Sequence, residues 1–437
     1  MLQQLRTHCH TAYFVGGCVR DLLLGVSPQD YDIATSAHPD QVMSLFPNTI
    51  AVGAQFGVVL VVVPADGTED SKPIHVEVAT YRSDVGYSDG RHPDAVRYSK
   101  TAQEDVHRRD FTINGLLLDP LNNAVLDFVG GRSDLEHKII RTIGDPRQRF
   151  QEDKLRMMRA VRFAARLGYG IDPNSMSVIR ELAREIHQVS RERIRDELDK
   201  MLTEGRVRQC FELLDATGLL IEVLPEVSAL KGVEQPPQYH PEGDVWIHTL
   251  LLLEGLEKGC STALAWGVLL HDIGKPPTFR VAPDRIRFDQ HAEVGTRMAN
   301  EICRRLRFSN DITEQITTLV ANHMRFGDVK RMKESTLKRF MRLPRFEEHL
   351  ELHRLDCSAS HRDLSLYQFV REKLENTPQD EIRPAPLITG RDLIAHGWQP
   401  GPQFREMLQA VEDAQLEGAL HTREEAMSFV QTNFGKQ

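Results

Sequence analysis

The chain has 437 residues, 41% of them hydrophobic and 27% charged, which excludes a disordered, collagen-like or coiled-coil protein and leaves enough chain for several buried cores. Lys and Arg number 54 against 63 Asp and Glu, a formal net charge of −9 that excludes a generally polybasic nucleic-acid binder; charge for binding RNA has to be local. The six cysteines are scattered with no CxxC pair, which argues against a zinc ribbon or disulfide framework and predicts a cytoplasmic protein. The apolar run Val58–Val63 is far too short for a bilayer, which needs about 20 residues.

Residues 1–140 alternate β-rich and helical patterns. Ala12–Val15 reads as a strand leading into Gly16-Gly17 and an amphipathic stretch around Val19–Leu24. Tyr31–Ala34 is a short strand, and a helix opens at Pro39. Val58–Val63 and Ile74–Thr80 are β-branched runs separated by turn residues and predict paired strands. The polar stretch from Arg82 to Asp105, which includes Asp89-Gly-Arg-His-Pro-Asp94, has little core-forming power and reads as a mobile loop. From Glu152 onward helical spacing dominates, beginning with Leu155, Met158, Val161 and Ala165. Gly168–Pro173, Pro225–Pro241, Pro276–Pro283 and Pro384–Pro386 are the expected joints.

Four constellations carry chemistry. Gly16-Gly17 between strand and helix lets backbone N–H groups approach a phosphate, with Arg20 one turn on as a guanidinium fork. Asp30 and Asp32, two apart on an extended segment, point to one side and suit a hard cation such as Mg²⁺. Two such ions about 4 Å apart can activate a hydroxyl and stabilise departing pyrophosphate. Glu77 lies in the apolar run Ile74-His-Val-Glu-Val-Ala-Thr80 and is either a third metal carboxylate or a solvent-facing residue.

Arg108-Arg109-Asp110 suits triphosphate or sugar contacts, with the aspartate fixing an arginine. Asp153, Arg156 and Arg159 fall three apart, on one face if helical, and an aspartate with an arginine can read the Watson–Crick edge of a base. Arg162 continues that row. Residues 141–208 carry 16 Lys or Arg against 11 Asp or Glu, the best candidate for a phosphate-backbone surface. Last come His248, His271-Asp272 after the apolar run Leu264–Leu270, then His291, His323 and Asp356, donor types that suit a divalent metal.

These motifs resemble, in order over about 210 residues, those of class II tRNA nucleotidyltransferases, the CCA-adding enzymes and their bacterial poly(A) polymerase relatives. The likeness rests on Gly16-Gly-Cys-Val-Arg-Asp21, Asp30-Tyr-Asp32, Arg108-Arg-Asp-Phe-Thr-Ile-Asn114, Asp127-Phe-Val-Gly-Gly131, Glu152-Asp-Lys-Leu-Arg156 and Ser190-Arg-Glu-Arg-Ile194. The region after His248 resembles an HD phosphohydrolase domain. Ile388-Thr-Gly-Arg-Asp-Leu393 with Pro400-Gly-Pro402 resembles the C-terminal segment of HD-containing members.

The resemblance implies an α+β fold: a polymerase-β-like nucleotidyltransferase head (mixed β-sheet with helices), then an all-α neck, HD-type body and tail. The corresponding spans are 1–140 for the catalytic head, 141–215 for the neck that selects the nucleobase, 216–380 for the body and 381–437 for a tRNA-contacting tail. It implies template-independent addition of CCA to the tRNA 3′ end at the acceptor stem, from CTP and ATP with Mg²⁺, and predicts neither DNA nor membrane as partner. Asp30 and Asp32 would hold the catalytic metals, joined by Glu77. Gly16, Gly17, Arg20, Arg109 and Asp110 would bind the nucleotide, Asp153 and Arg156 would choose the base, and Arg159 and Arg162 would support them. A-adding enzymes and poly(A) polymerases share these head motifs, although Arg166-Leu-Gly-Tyr169 looks closer to the CCA side. The HD region implies a further divalent metal (Mg, Mn or Ni) and a separate phosphatase or cyclic phosphodiesterase activity; a metal phosphohydrolase with an RNA-binding head is the competing reading.

Overall fold

The computed structural model describes residues 1–51, 57–64, 73–85, 95–238, 240–283 and 285–435. The chain divides into two compact units, Met1–Ser228 and Ala229–Gln437, and the division falls inside the expected Pro225–Pro241 joint.

Among the described residues the first unit opens with nine strands: Ala12–Val15 (β1), Tyr31–Thr35 (β2), Thr49–Ile50 (β3), Val58–Val63 (β4), Ile74–Thr80 (β5), Arg82–Val85 (β6), Ala95–Tyr98 (β7), Leu116–Asp119 (β8) and Ala124–Asp127 (β9). Seven of them form one mixed sheet in the order β3-β4-β5-β2-β1-β8-β9. Within it β2 and β5 run parallel, and the other neighbours are antiparallel. Alternation sets the two faces. Val59, Val61, Val76 and Val78 are buried with Leu2, Leu5, Ile33 and Val42, under the Leu2–Thr7 and Pro39–Leu45 helices. With period 2, the intervening His75 and Glu77 of β5 face the other way and are exposed.

β6 and β7 pair with each other, antiparallel, with Arg82 opposite Tyr98. The Ala102–His107 helix follows. The loop expected over Arg82–Asp105 is therefore shorter: strand pairing is a backbone interaction and does not need the apolar side chains whose scarcity pointed to a loop. Its centre, residues 86–94, lies outside the described residues.

Helices follow, beginning with Pro146–Glu152 and Leu155–Leu167. Leu155, Met158, Val161 and Ala165 are all buried, as their spacing predicts. That helix stops at Gly168 (φ +68°), where the Tyr169 N–H reaches back to the Ala164 carbonyl at 2.9 Å. Gly168–Pro173, expected as a joint, instead folds into the unit: Gly170 and Ile171 pair in parallel with Ile139 and Ile140. The Arg191–Thr203 helix packs on Leu155–Leu167.

Among the described residues the second unit is helical apart from the hairpin Arg280–Val281 and Ile286–Arg287. The Thr262–Leu270 helix is buried on every side from Ala263 to Leu270, as its apolar run predicts. Around it stand Val245–Glu254, Asn310–Asn322 and Phe346–Ala359. The last segment has its own apolar cluster, which includes Ile388, Leu393, Met407, Val411 and Val430. Arg339 and Arg342, at the end of the Glu334–Met341 helix, join it to that helix by ion pairs with Glu412 at 2.7 and 2.5 Å.

Candidate functional site

The strand register of the first unit places its acids. β2 and β5 are parallel neighbours with Asp32 directly opposite Glu77. Residues so paired share one face at about 4.8 Å between strands. Burial pushes the Asp32 carboxyl up to about 6, helped by Glu77 and Asp30 and opposed by Arg109. Asp32 and Glu77 share that face, and Asp30 lies near enough to act on Asp32; carboxylate oxygens are the donor type that suits a divalent cation of the Mg²⁺ type. Gly16 has φ +79°, a left-handed conformation that L side chains rarely adopt, and it stands beside Arg109 and Asp32: a Cβ there would meet Arg109 Nη1 at 3.5 Å and Asp32 Oδ2 at 3.6 Å, ordinary contact distances.

The arginines facing these acids are fixed by partners of their own. Arg20 is buried, donates Nε to Asp21 Oδ1 at 2.8 Å and Nη1 to Asn114 Oδ1 at 2.9 Å. Arg159 donates Nε and Nη2 to Asp110 Oδ2 at 3.0 and 2.7 Å. Burial alone would raise the Asp110 carboxyl, but Arg159 outweighs it and holds the group down at about 2. Arg162 donates Nε to buried Glu197 Oε2 at 2.7 Å. The Phe163 ring lies within 5.4 Å of all three guanidinium carbons, of Arg20, Arg159 and Arg162.

Asp153 is the correction. Its spacing predicts a place on one helical face with Arg156, but it sits in extended conformation (φ −149°, ψ 103°) between the two helices Pro146–Glu152 and Leu155–Leu167. Its Oδ1 accepts the Leu155 N–H at 3.1 Å, and its Oδ2 accepts Arg193 Nη2 at 2.7 Å. An aspartate that bonds the backbone two residues on competes with helix, which is why the regular spacing starts only at Leu155. Arg156 donates Nη1 to Glu152 Oε2 at 2.8 Å.

One cavity of about 960 Å³ gathers this set. Gly16, Gly17, Arg20, Asp30, Asp32 and Glu77 line its sheet side, with Arg109 and Asp110; Asp153, Arg156, Arg159 and Arg162 line it from the helices.

The second unit brings together the late histidines and aspartates. His271 and Asp272 close the Thr262–Leu270 helix and are buried. Asp272 Oδ2 lies 3.2 Å from His271 Nε2 and 3.8 Å from His248 Nε2, and its Oδ1 lies 3.6 Å from His291 Nε2 and 3.8 Å from His323 Nε2. Asp356 Oδ1 lies 3.2 Å from His248 Nε2. His271, His291 and His323 point Nδ1 at the carbonyls of Val268, Phe288 and Val320 at 2.7–2.9 Å. A protonated Nδ1 at each leaves Nε2 as the free donor atom. His271 Nε2 is buried without a hydrogen bond among the described residues. Burial drives His323 down to about 4. For His248 burial acts downward, but the bonds to Asp356 and Glu242 outweigh it and carry it up to about 9. These donors fit a divalent metal of the kind imidazole and carboxylate hold.

Comparison with known proteins agrees with both halves of the chain. The family model "Poly A polymerase head domain" matches residues 12–141, "Probable RNA and SrmB- binding site of polymerase A" matches 168–231, and tRNA nucleotidyltransferase domain 2 matches 290–430. The CCA-adding enzyme of Levilactobacillus brevis is 32% identical over 429 residues, 98% of this chain and 95% of that protein. The chain belongs to the family of CCA-adding enzymes.

The CCA-adding enzyme of Geobacillus stearothermophilus is 43% identical over 219 residues, about half of each protein. A crystal structure of the Bacillus stearothermophilus CCA-adding enzyme in complex with CTP superposes over 99% of this chain and 96% of its own, with a TM-score of 0.74 at 28% identity. The Thermotoga maritima CCA-adding enzyme, solved in complex with tRNA, shares the fold at 18% identity and a TM-score of 0.57. The α+β architecture is thus that of CCA-adding enzymes, a polymerase-β-like head with a helical body.

For a CCA-adding enzyme the residues that the sequence did not single out are anchors. Asp105 is fully buried and binds Arg108 Nε at 2.9 Å and Arg109 Nη2 at 3.0 Å. Asp110, expected to hold an adjacent arginine, holds Arg159 instead. The i,i+3 and i,i+4 spacing from Asp105 to the two arginines was a readable signal. Arg193 belongs to the Ser190–Ile194 motif, but its pairing with Asp153, like that of Glu197 with Arg162, comes only from tertiary packing.

Proposed function

We propose that the cavity of the first unit carries out the family's reaction, the stepwise addition of C, C and A to the 3′ end of tRNA from CTP and ATP. One observation carries the assignment: Asp32 and Glu77 stand in register on parallel strands, with Asp30, in the same cavity as the Arg156, Arg159 and Arg162 row. Asp30, Asp32 and Glu77 would hold Mg²⁺, which when bound lowers the cost of the 3′-oxygen attack and of pyrophosphate departure. The backbone at Gly16 and Gly17 and the Arg109 side chain bind and orient the triphosphate. Asp153 accepts from the exocyclic amine of cytosine or adenine, Arg156 donates to the neighbouring ring positions, and Arg159 and Arg162 hold the pocket wall. Asp105 and Asp110 keep these guanidiniums in place before substrate arrives, so ordering them does not weaken binding.

The four-part division into head 1–140, neck 141–215, body 216–380 and tail 381–437 is a finer proposal than the two units. In it the basic stretch 141–208 tracks the tRNA backbone and the tail contacts tRNA. No described helix is long and apolar enough to cross a membrane, and we assign the protein to the cytoplasm.

The test is incubation with tRNA lacking its 3′ CCA, CTP, ATP and Mg²⁺. Extension by three nucleotides is expected, and Asp30→Ala with Asp32→Ala abolishes it. Extension of tRNA ending in CC but not of tRNA ending at the discriminator base would instead identify an A-adding enzyme, and a long A tract a poly(A) polymerase.

A second reading rests on the convergence of the six late histidines and aspartates, Asp272 among them. We assign a divalent metal and a phosphohydrolase activity to that cluster, beside a cavity of about 530 Å³. Phosphate release from a phosphomonoester or a cyclic phosphodiester is expected with added Mg²⁺, Mn²⁺ or Ni²⁺, and loss of that release in His271→Ala and Asp272→Ala. Release that persists in both variants would remove the reading.

A further inference from the structure

Phe163 stands in the middle of the cationic wall and carries no charge itself. It lies on the Leu155–Leu167 helix, is buried, and lines the cavity of the first unit. Three guanidinium carbons stand over its ring, that of Arg162 at 4.6 Å from the ring centre, Arg159 at 5.3 Å and Arg20 at 5.4 Å. They come from two places in the chain. Arg159 is one helical turn before Phe163 and Arg162 is its neighbour, whereas Arg20 belongs to the Gly17–Leu23 helix that opens at the Gly16-Gly17 turn. The ring of fully buried Phe111 meets that of Phe163 nearly edge-on, at 79° and 5.8 Å between centres, and fixes its plane.

We propose that Phe163 is a positioning residue: its ring gathers Arg20, Arg159 and Arg162 into one phosphate-binding wall before the triphosphate arrives. The inference rests on reading this cavity as the nucleotide site and adds the group that assembles its cations. Three like charges crowded at one ring repel one another, and hydrogen bonds to carboxylates offset part of that. Those acids already number four, Asp21, Asp110, Glu197 and Glu204. A further acid among the guanidiniums would cancel the charge that a triphosphate needs. The negative face of an aromatic ring attracts cations without carrying a net charge, so it holds the arginines and leaves their charge to the ligand.

The ring also takes up none of their N–H groups. Among the described residues Arg162 Nη2 has no hydrogen bond, and Arg159 Nη1 has only a 3.7 Å approach to Glu197. Guanidiniums ordered in advance do not have to be ordered by the ligand, which is how a residue that acts through others raises affinity. Arg20 belongs to the phosphate turn, and Arg159 and Arg162 to the helix that begins beside Asp153, so one ring ties the phosphate end of the site to its base-reading end.

Phe163→Leu would mix lost packing with lost cation attraction, so the deciding series keeps the phenyl shape. Full-length chains carry 4-fluoro-, 3,5-difluoro- or 3,4,5-trifluorophenylalanine at position 163, and each fluorine withdraws electron density from the ring face and weakens its hold on a cation. The dissociation constant for CTP with Mg²⁺, measured by calorimetry without tRNA, is expected to rise stepwise with fluorine number and to reach about tenfold in the trifluoro chain. The dissociation constant for tRNA lacking its 3′ CCA should stay within about twofold of the parent, and the melting temperature should not follow fluorine number. The same series at Phe150, which is fully buried in the same unit with no guanidinium over its ring among the described residues, should leave CTP binding unchanged. CTP binding that is flat along the 163 series, or that moves in step with the melting temperature or with the Phe150 series, makes Phe163 a packing residue and overturns the proposal while the nucleotide-site reading stands. A parent chain that binds no CTP overturns that reading and the proposal with it.

Discussion

Asp32 shows what a single residue's surroundings do. Its carboxyl is raised to about 6 because burial and two neighbouring carboxylates disfavour its charge. In the unfolded chain the same group titrates near 3.9. Between these values the folded state binds the extra proton, so this group's contribution to stability declines as pH rises from about 4 to about 6. Replacing it with Asn removes that penalty. In chelator, the melting temperature of Asp32→Asn minus that of the parent is expected to increase between pH 4 and pH 7 and then level off. A difference that is flat, or that shrinks, would show that Asp32 is not held against its charge. The same crowding of acids is what an added cation would relieve, so Mg²⁺ at pH 7 should narrow the gap.

At the scale of elements, the Leu155–Leu167 helix turns three arginines into one wall, but it does not hold them alone. Arg191–Thr203 supplies Glu197 to Arg162 and Arg193 to Asp153. Asp153 has no helix of its own, and Arg193 and the Leu155 N–H fix its two oxygens. In Arg193→Ala the carboxylate loses one of those restraints. Selectivity between CTP and ATP, measured as the ratio of kcat/KM on tRNAs ready for each, is expected to fall about tenfold, the effect of losing a charge-assisted bond near 1.4 kcal/mol. The dissociation constant for tRNA should stay within about twofold of the parent, since a base-reading group and a phosphate contact are separable. A drop in tRNA affinity with unchanged selectivity would put Arg193 on the phosphate surface instead. The hairpin β6–β7 is an element where composition misled: its residues look like loop, yet backbone pairing made strands of them.

For the whole molecule, the net charge of −9 and the basic stretch 141–208 pull in opposite directions. Arg180 and Arg184 are exposed on that stretch. Substituting both with Ala should weaken tRNA binding for every tRNA sequence alike and reduce the slope of log K against log salt by about 1 for each phosphate no longer neutralised. An unchanged slope in a filter-binding titration from low to high salt would move the tRNA backbone to another face.

The chain's order of motifs already carried most of the architecture. Strands Ala12–Val15, Val58–Val63 and Ile74–Thr80 have the bounds that alternation and β-branching predict, because burial of one face dictates a period of 2. The helix from Leu155 and the all-round apolar run to Leu270 follow from the same rule with a period of 3.6. Residue types, too, were legible: acids in pairs, arginines in a row, and histidines spread along the second half of the chain. What only the tertiary structure decided is who faces whom. Asp32 meets Glu77 because two strands run parallel in one register, Asp110 reaches Arg159 across 49 positions, and His248 gathers Glu242 and Asp356 from either side. Local spacing determines helices and strands through backbone geometry, whereas such encounters depend on packing between distant segments, about which a linear pattern says nothing.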